Sequence, residues 1–504
     1  MPSRILPFPQ DLRPRLPNVL GNVDYLALRR QLEHIDALLT DTGLERFFVQ
    51  VALDAWLARS KTVPSAAEQA RFQQRSCRAL RCNLLRSLVQ DDFRGFSCQL
   101  ASSPLYQWFC HLDAVDRIRV PSKSELQRFA QWLPAEPMRK VHEELIRIIA
   151  SSDARTLQLP KPVDLDAVFL DTTCIKANIH FPIDWVLLRD GVRTLMKATR
   201  LIREQGLCKR MESPEVFLRR MNSLCMEMSR RGRGNSSRKE RKRVLRLMKK
   251  LTAVVRDHAR RHRDMLDANW AKTKWTRPQA QQVLRRIDQI LELLPKAMKQ
   301  AHERIIGERP VPNAAKMLSL YEQDVRVIVR GKAGAEVEFG NTLLVAENSQ
   351  GLIVDVELFR ESAPADSQLL FRSLARLWSV AGKKPEAVVT DRGFSSQSNS
   401  DKLKEGGTFD GTCPRKPAEL KRRMKSGKFA AMQKRRAQTE GRIGVLKNGF
   451  LGAPMRAEGF EHRERAVMWG VLTHNLWVLA RMRVAKEEKT PKRRDGGSGL
   501  RKAA

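Results

Sequence analysis

"VDLDAVFLD", residues 163–171, is where the chain changes character. Upstream, from about residue 24 to 150, apolar residues recur at three- and four-residue spacings. "YLALRRQLEHIDALL" (25–39) and "AAEQARFQQRSCRALRCNLLRSLV" (66–89) are examples, and they predict amphipathic helices. The 163–171 stretch is instead a short β-type run ending at Asp171, consistent with a buried strand. Strand signals resume only after residue 320, in "DVRVIVRG" (324–331), "GNTLLVAEN" (340–348) and "GLIVDVEL" (351–358). The last two are joined by the turn signal "NSQG", which predicts an antiparallel pair. "DSQLLFRSLARLWSVAG" (366–382) then reads as a helix ending at Gly382, and "EAVVTD" (386–391) as a second buried strand ending at Asp391.

Between the first strand and the later ones lies a basic helical block, about 186–310. Val244, Leu247, Leu251 and Val254 are expected on one helix face, as are Val283, Ile287, Ile290, Leu291 and Leu294, with Pro295 closing that helix. From Arg230 to Arg263, fifteen of 34 residues are Lys or Arg, a density that favours contact with phosphates over a merely solvated face. The expected fold class is α+β: a mixed sheet with flanking helices, interrupted by a helical insertion and preceded by an all-α region. The expected divisions are a helical N-terminal region (1–150), the first part of a catalytic core (151–185), the basic insertion (186–315), the rest of the core (316–480) and a disordered basic tail (481–504). Within the first, "SPLYQWFCHLD" and "SKSELQRFAQWL" flank a turn with Pro121, and Ser122 with Glu125 forms a capping box. Two short helices so joined, at about 104–133, fit a helix-turn-helix or an ordinary helical hairpin.

Composition narrows the partner. The 504 residues carry 93 Lys or Arg against 56 Asp or Glu, a formal net charge of +37, and a surplus this size suggests a polyanion, most often nucleic acid. No apolar run reaches the roughly 18 residues of a spanning helix, and "MPSRILPFPQDLRPRL" lacks a signal-peptide core, which points to a cytoplasmic chain without a membrane role. The eight cysteines form no C-x-x-C pair and read as reduced, buried small residues. His258 and His262 sit one helical turn apart but amid arginines, and read as part of a basic helix face rather than a zinc site. Only Tyr25, Tyr106 and Tyr321 are tyrosines, so covalent phosphotyrosine chemistry in the last third of the chain is excluded.

Three carboxylates stand out by position. Asp171 and Asp391 each end a strand. Glu440, in "RRAQTEGRIGVLKNGF" (435–450), is the one acid among eleven Lys or Arg between Glu419 and Glu458. If the two strands pair side by side, both aspartates emerge at one edge and a later helix lays Glu440 across it. Such a trio makes a hard oxygen site for two Mg²⁺ ions, which would stabilise the attacking and leaving oxygens of an in-line displacement at phosphorus. Asp164, Asp166, Asp355, Glu458 and Glu461 are nearby acids that the joint pattern disfavours.

The order strand-Asp, antiparallel strands, strand-Asp, helix-Glu resembles the RNase H-like core of DDE transposases from bacterial insertion sequences. The motifs are "VFLDTTCIKANIHFPIDW" (168–185), "VVTDRGFSS" (388–396) and "RRAQTEGRIGVLKNGF" (435–450). "LVQDDFRGFSCQLASSPLYQWFC" (88–110) and "VPSKSELQRFAQWL" (120–133) resemble the N-terminal region of the ISNCY-like group. The resemblance implies Asp171, Asp391 and Glu440 as catalytic metal ligands for Mg²⁺, with Mn²⁺ as a substitute. It also implies double-stranded DNA as partner, as element ends and as target, and a homodimer at the nucleoid. The activity implied is hydrolysis at the element ends followed by 3′-OH strand transfer; a nuclease without strand transfer, or a non-catalytic nucleic-acid-binding protein, is the alternative. Many relatives carry Y-x₂-R-x₃-E-x₆-K around the third acid. Arg436, Glu440 and Lys447 keep its R-x₃-E-x₆-K part, within about 40° on one helix face. Glu440 would bind metal while Arg436 and Lys447 hold DNA phosphates. Gln433 stands at the tyrosine position, so the role of that phenol is not carried over. Arg392, Arg442, Lys123 and Arg128 complete the expected DNA-contacting set. Gly441 and Gly444, each costing a helix about 1 kcal/mol relative to Ala, are expected to permit close backbone approach.

Overall fold

The computed structural model describes residues 15–112, 118–152, 154, 157–230, 235–332 and 335–489. Its strands are β1 (Ala167–Lys176), β2 (Arg326–Lys332), β3 (Ala335–Asn348), β4 (Ile353–Leu358), β5 (Ala387–Thr390) and β6 (Phe409–Asp410). The chain divides into two compact units: the first comprises Met1–Ile175, Thr342–Phe359 and Ala363–Ala504, the second Lys176–Asn341 with Arg360–Ser362.

In the first unit, β4 pairs with β3, β3 neighbours β1, β1 pairs with β5, and β5 with β6. The β3–β4 pair is antiparallel, as the "NSQG" turn predicts, and Gly351 occupies the left-handed conformation at φ +92° that closes it. β1–β5 and β5–β6 are parallel. Two features depart from the sequence reading. β1 does not end at Asp171 but runs on to Lys176, because Thr172, Thr173 and Ile175 are β-branched and extend the pleat. β6 is only two residues long, too short for a periodicity signal. The helix after β4, Asp366–Ala381, ends where expected, with Gly382 at φ +69°.

Helices pack the sheet's main face. Val168, Leu170 and Val388 of the sheet share one buried core with Leu32, Leu84 and Leu145 of the N-terminal helices and Leu472 of the helix Phe460–Lys489. The Asn475 amide of that last helix accepts from the Ile353 N–H and donates to the Ile353 carbonyl, both at 2.8 Å, and so anchors the start of β4. The two short N-terminal helices are Pro104–Phe109 and Lys123–Ala130, the second capped by Ser122 as read from sequence. Residues 113–117, part of the expected helix-turn-helix, lie outside the described residues, as do 490–504 of the expected tail.

The second unit contains the helices Asp184–Glu204, Pro214–Arg230, Asn235–Asn269 and Arg277–Ala301 around their own core of Leu188, Leu195, Val244, Met248, Ile287 and Leu294. Its β2 pairs antiparallel with the first residues of β3. Here too the sequence reading is corrected. The buried face of Asn235–Asn269 holds Leu245, Met248 and Val255 beside Val244, while Leu247 (39% exposed) and Val254 (46%) turn outward. That helix carries apolar residues on more than one face, and its neighbours decide which is covered. Pro295 sits inside Arg277–Ala301 rather than ending it. His262 is fully buried, bonded to the His258 carbonyl and the Lys209 amide, rather than on an exposed basic face.

One buried charge fastens the N-terminal helices. Arg81, 1% exposed, donates to Asp36, Glu45 and the Phe109 carbonyl. Arg81→Ala takes their shared cation from two largely buried carboxylates, a change expected to cost about 3–5 kcal/mol; urea unfolding followed by circular dichroism measures it.

Candidate active site

Strand parity aims the two aspartates. β1 and β5 pair in parallel with Ala167 opposite Ala387 and Leu170 opposite Thr390. Side chains alternate faces along a strand. Ala167, Phe169, Ala387 and Val389 form one buried cluster with Met432 of the helix Gly427–Leu446, whereas Val168, Leu170 and Val388 join the main core. Asp171 and Asp391 share the parity of the first set. They therefore stand side by side on the face covered by the helix that carries Glu440.

That helix is held by a buried carboxylate that sequence reasoning missed. Glu347, near the end of β3, is 2% exposed. It accepts from Arg435 Nη1 at 3.0 Å and from Thr439 Oγ1 at 2.8 Å. Arg435 also donates to the Ser349 and Asn348 carbonyls, and its guanidinium lies 4.4 Å from the Phe169 ring centroid. Arg442 reaches the Ser349 carbonyl at 3.4 Å and Glu347 at 3.8 Å. Gln433, at the position where relatives have tyrosine, donates to the Gly411 carbonyl at 2.6 Å and the Thr390 carbonyl at 3.3 Å. Its amide thus ties the helix to the strand end that presents Asp391.

The acids feel one another. Burial, and next the Asp391 carboxylate, push Asp171 up to about 6; the Thr172 amide and Arg436 oppose the shift, and Glu440 adds to it. Asp391 caps the turn that follows, its Oδ1 accepting from the Gly393 amide at 2.9 Å. A fourth carboxylate joins them: Asp366, the first residue of its helix, accepts from Thr172 Oγ1 at 3.2 Å. A Cβ built on Gly393 would lie 2.6 Å from Asp366 Oδ2 and 3.1 Å from Asp391 Oδ1, so only glycine leaves both carboxylates where they are. The acidic start of a helix gave Asp366 an unremarkable reading in the sequence.

The remaining expected residues are distributed as follows. Lys447 follows the helix in a π-turn and donates from Nζ to Thr173 Oγ1 at 3.3 Å, beside β1. Arg436 donates to Gln433 Oε1 at 3.2 Å and acts electrostatically on Asp171. Arg392 is exposed immediately after Asp391. Arg442 points to the β3–β4 turn rather than to the acids, and Lys123 and Arg128 are exposed on the helix Lys123–Ala130, whose Leu126 and Phe129 are buried. Asp355 is occupied by Arg376 and Ser373, and Asp164 by Ser349 and the Asp166 amide. Nothing lies within 4 Å of a Cβ built on Gly441 or Gly444, so close backbone approach within the fold does not account for these glycines.

Among the described residues, no group of three His, Cys, Asp or Glu side chains is arranged to hold a metal ion. The donor chemistry nevertheless suits a hard divalent cation, because adjacent carboxylates, with Asp171 raised by burial and by its acidic neighbours, are relieved by positive charge. Glu440 is exposed on the helix, which Arg435 and Thr439 fasten to Glu347.

Two outcomes are expected. Because Asp171 is raised from 3.8 to about 6, its ionisation opposes folding, and the penalty grows as the pH rises through that window. Asp171→Asn should therefore stabilise the metal-free protein at neutral pH by on the order of 2–3 kcal/mol, with no difference below about pH 4; urea unfolding of both proteins across that range measures it. Gly441→Ala and Gly444→Ala should each raise stability by roughly 1 kcal/mol, since the added methyl meets nothing and the helix gains propensity; thermal unfolding checks this.

No curated protein and no solved structure matches the chain. A family model described as the transposase DDE domain matches residues 330–476, a segment that contains Asp391 and Glu440 and begins after Asp171. Residues 330–476 are thus similar to the transposase DDE domain family, which supports reading the chain as a DDE transposase.

Proposed function

We propose that the protein is a DNA transposase of the bacterial insertion-sequence type, similar to the ISNCY-like group, whose sheet is an RNase H-like core and whose active site is Asp171, Asp391 and Glu440. The observation that carries this reading is the β1–β5 register, with Leu170 opposite Thr390, which sets Asp171 beside Asp391 under the helix of Glu440. The strand succession β4–β3–β1–β5–β6, antiparallel at one end and parallel at the other, supports the RNase H-like assignment.

Asp171, Asp391 and Glu440 are the residues that would hold Mg²⁺ or Mn²⁺. Bound there, the ions would supply electrostatic stabilisation of the oxygens at the phosphorus under attack. The chain's own part is positioning and charge. Arg436 and Lys447, on either side of Glu440, neutralise the phosphates that flank the scissile bond, and Arg392 extends the basic rim beside Asp391. Water attacks the phosphodiester at an element end and frees a 3′-OH, which then attacks target DNA in the same site. No covalent enzyme intermediate is needed. The helical N-terminal region, with Lys123 and Arg128 exposed, recognises the ends of the element. Two ends must be handled together, which calls for a homodimer on DNA at the nucleoid.

Asp391→Asn tests the assignment. The expected result is loss of Mg²⁺-dependent cleavage of an element-end duplex by at least about 100-fold, with duplex binding retained. Unchanged cleavage would overturn the site. A joining assay with pre-cut ends separates the readings, because a nuclease without strand transfer makes no joined product.

A further inference from the structure

The second unit holds a basic depression that the catalytic reading does not use. It lies between the helices Asn235–Asn269 and Arg277–Ala301, measures about 330 Å³, and is lined by Lys249, Arg256, Pro295, Met298, Lys299 and His302. No carboxylate is among these lining residues. Several other cations on the same helices are matched: Arg243 pairs with Glu227 and Glu240, Arg263 with Asp264, Asp267 and Asp288, Arg260 with Asp257, and Lys296 with Glu292. The side chains of Arg256 and Lys299 make no ion pair among the described residues.

Arg256 carries the sharper signal. Its Nε is buried and has no hydrogen-bond partner among the described residues. The Arg256 side chain also lines the depression, where its charge would meet an oxyanion. Lys249 Nζ lies 3.2 Å from His302 Nδ1 and makes no ion pair among the described residues. Three cations thus converge on one hollow with Pro295 and Met298 as its apolar wall. Phosphate oxygens meet the cations, and a sugar between phosphates meets the wall.

We propose that this depression binds a backbone phosphate of duplex DNA, making the helical insertion a second DNA-gripping surface separate from the catalytic acids. The inference rests on the reading that the chain acts on DNA. Its test is the salt dependence of duplex binding by the full-length protein carrying Arg256→Gln and Lys299→Gln. A control variant neutralises two matched cations on the same helices, Arg260→Gln and Lys296→Gln. Losing one phosphate contact should lower the slope of log K against log salt by roughly 0.9 and weaken binding several-fold at about 0.1 M salt, while the control changes little. If the wild type shows no salt-dependent duplex binding, the DNA reading itself fails. If the wild type binds and the variant matches it, or the control falls equally, the depression is not a phosphate site. If the double variant binds duplex as the wild type does but loses affinity for inorganic phosphate, the hollow is reassigned to a free anion and the proposal is overturned.

Discussion

The structure depends first on the register between β1 and β5. Parallel pairing with Leu170 opposite Thr390 places two carboxylates next to each other, where they repel, and the strands tolerate this because their preceding residues are buried on both faces. Val168, Leu170 and Val388 fill the main core, and Ala167, Phe169, Ala387 and Val389 are covered by the Glu440 helix. A slip of one residue would drive an aspartate into the core and bring an apolar side chain out. Hydrophobic burial therefore holds an arrangement that electrostatics alone would undo. The raised pKa of Asp171 is the visible cost of that arrangement.

The second constraint is Glu347. The basic run from residue 421 to 456 looks uniform in the sequence, yet its cations face different tasks in the fold. Arg435 turns inward to Glu347 and the β3–β4 turn, Arg442 reaches the same turn from one side, and Arg436 faces the acids. Neighbours one position apart on a helix point about 100° away from each other, so Arg435 and Arg436 cannot share a role. Gln433 adds a further tie to the Thr390 and Gly411 carbonyls, linking the helix directly to the strand end at Asp391. An amide in place of a phenol here is a fastening, and it lets the rest of the R-x₃-E-x₆-K pattern keep its aspect toward β1.

Charge is also divided between the units. In the first, acids concentrate beside β1 and β5, with Arg436 acting on Asp171 and Arg392 exposed beside Asp391. In the second, ion pairs match several cations of the helical surface, and the hollow of Lys249, Arg256 and Lys299 has no carboxylate in its lining. Net charge reports neither distribution. The formal +37 points to a polyanion, while the placement of unmatched cations indicates where it would be held.

Local pattern was enough to determine the class of fold, the strand that carries Asp171 and the strand that leads to Asp391, the antiparallel β3–β4 hairpin, the Gly382 stop and the singular acid at Glu440. Each follows from short-range physics: alternation, turn chemistry, capping and charge contrast. What needed the tertiary structure arises from contacts across long separations. The sequence has no mark distinguishing Arg435 from Arg436, because their difference is made by Glu347 almost ninety residues away. Asp366 reads as an ordinary helix start until Thr172 and Gly393 come beside it. The outward turn of Leu247 and Val254 is settled by which neighbouring helices cover the opposite face. Even the run of β1 beyond Asp171 depends on partners to pair with. The acids proposed to carry the chemistry stood out in the sequence alone; the residues that hold them in place acquire that role only from what packs against them.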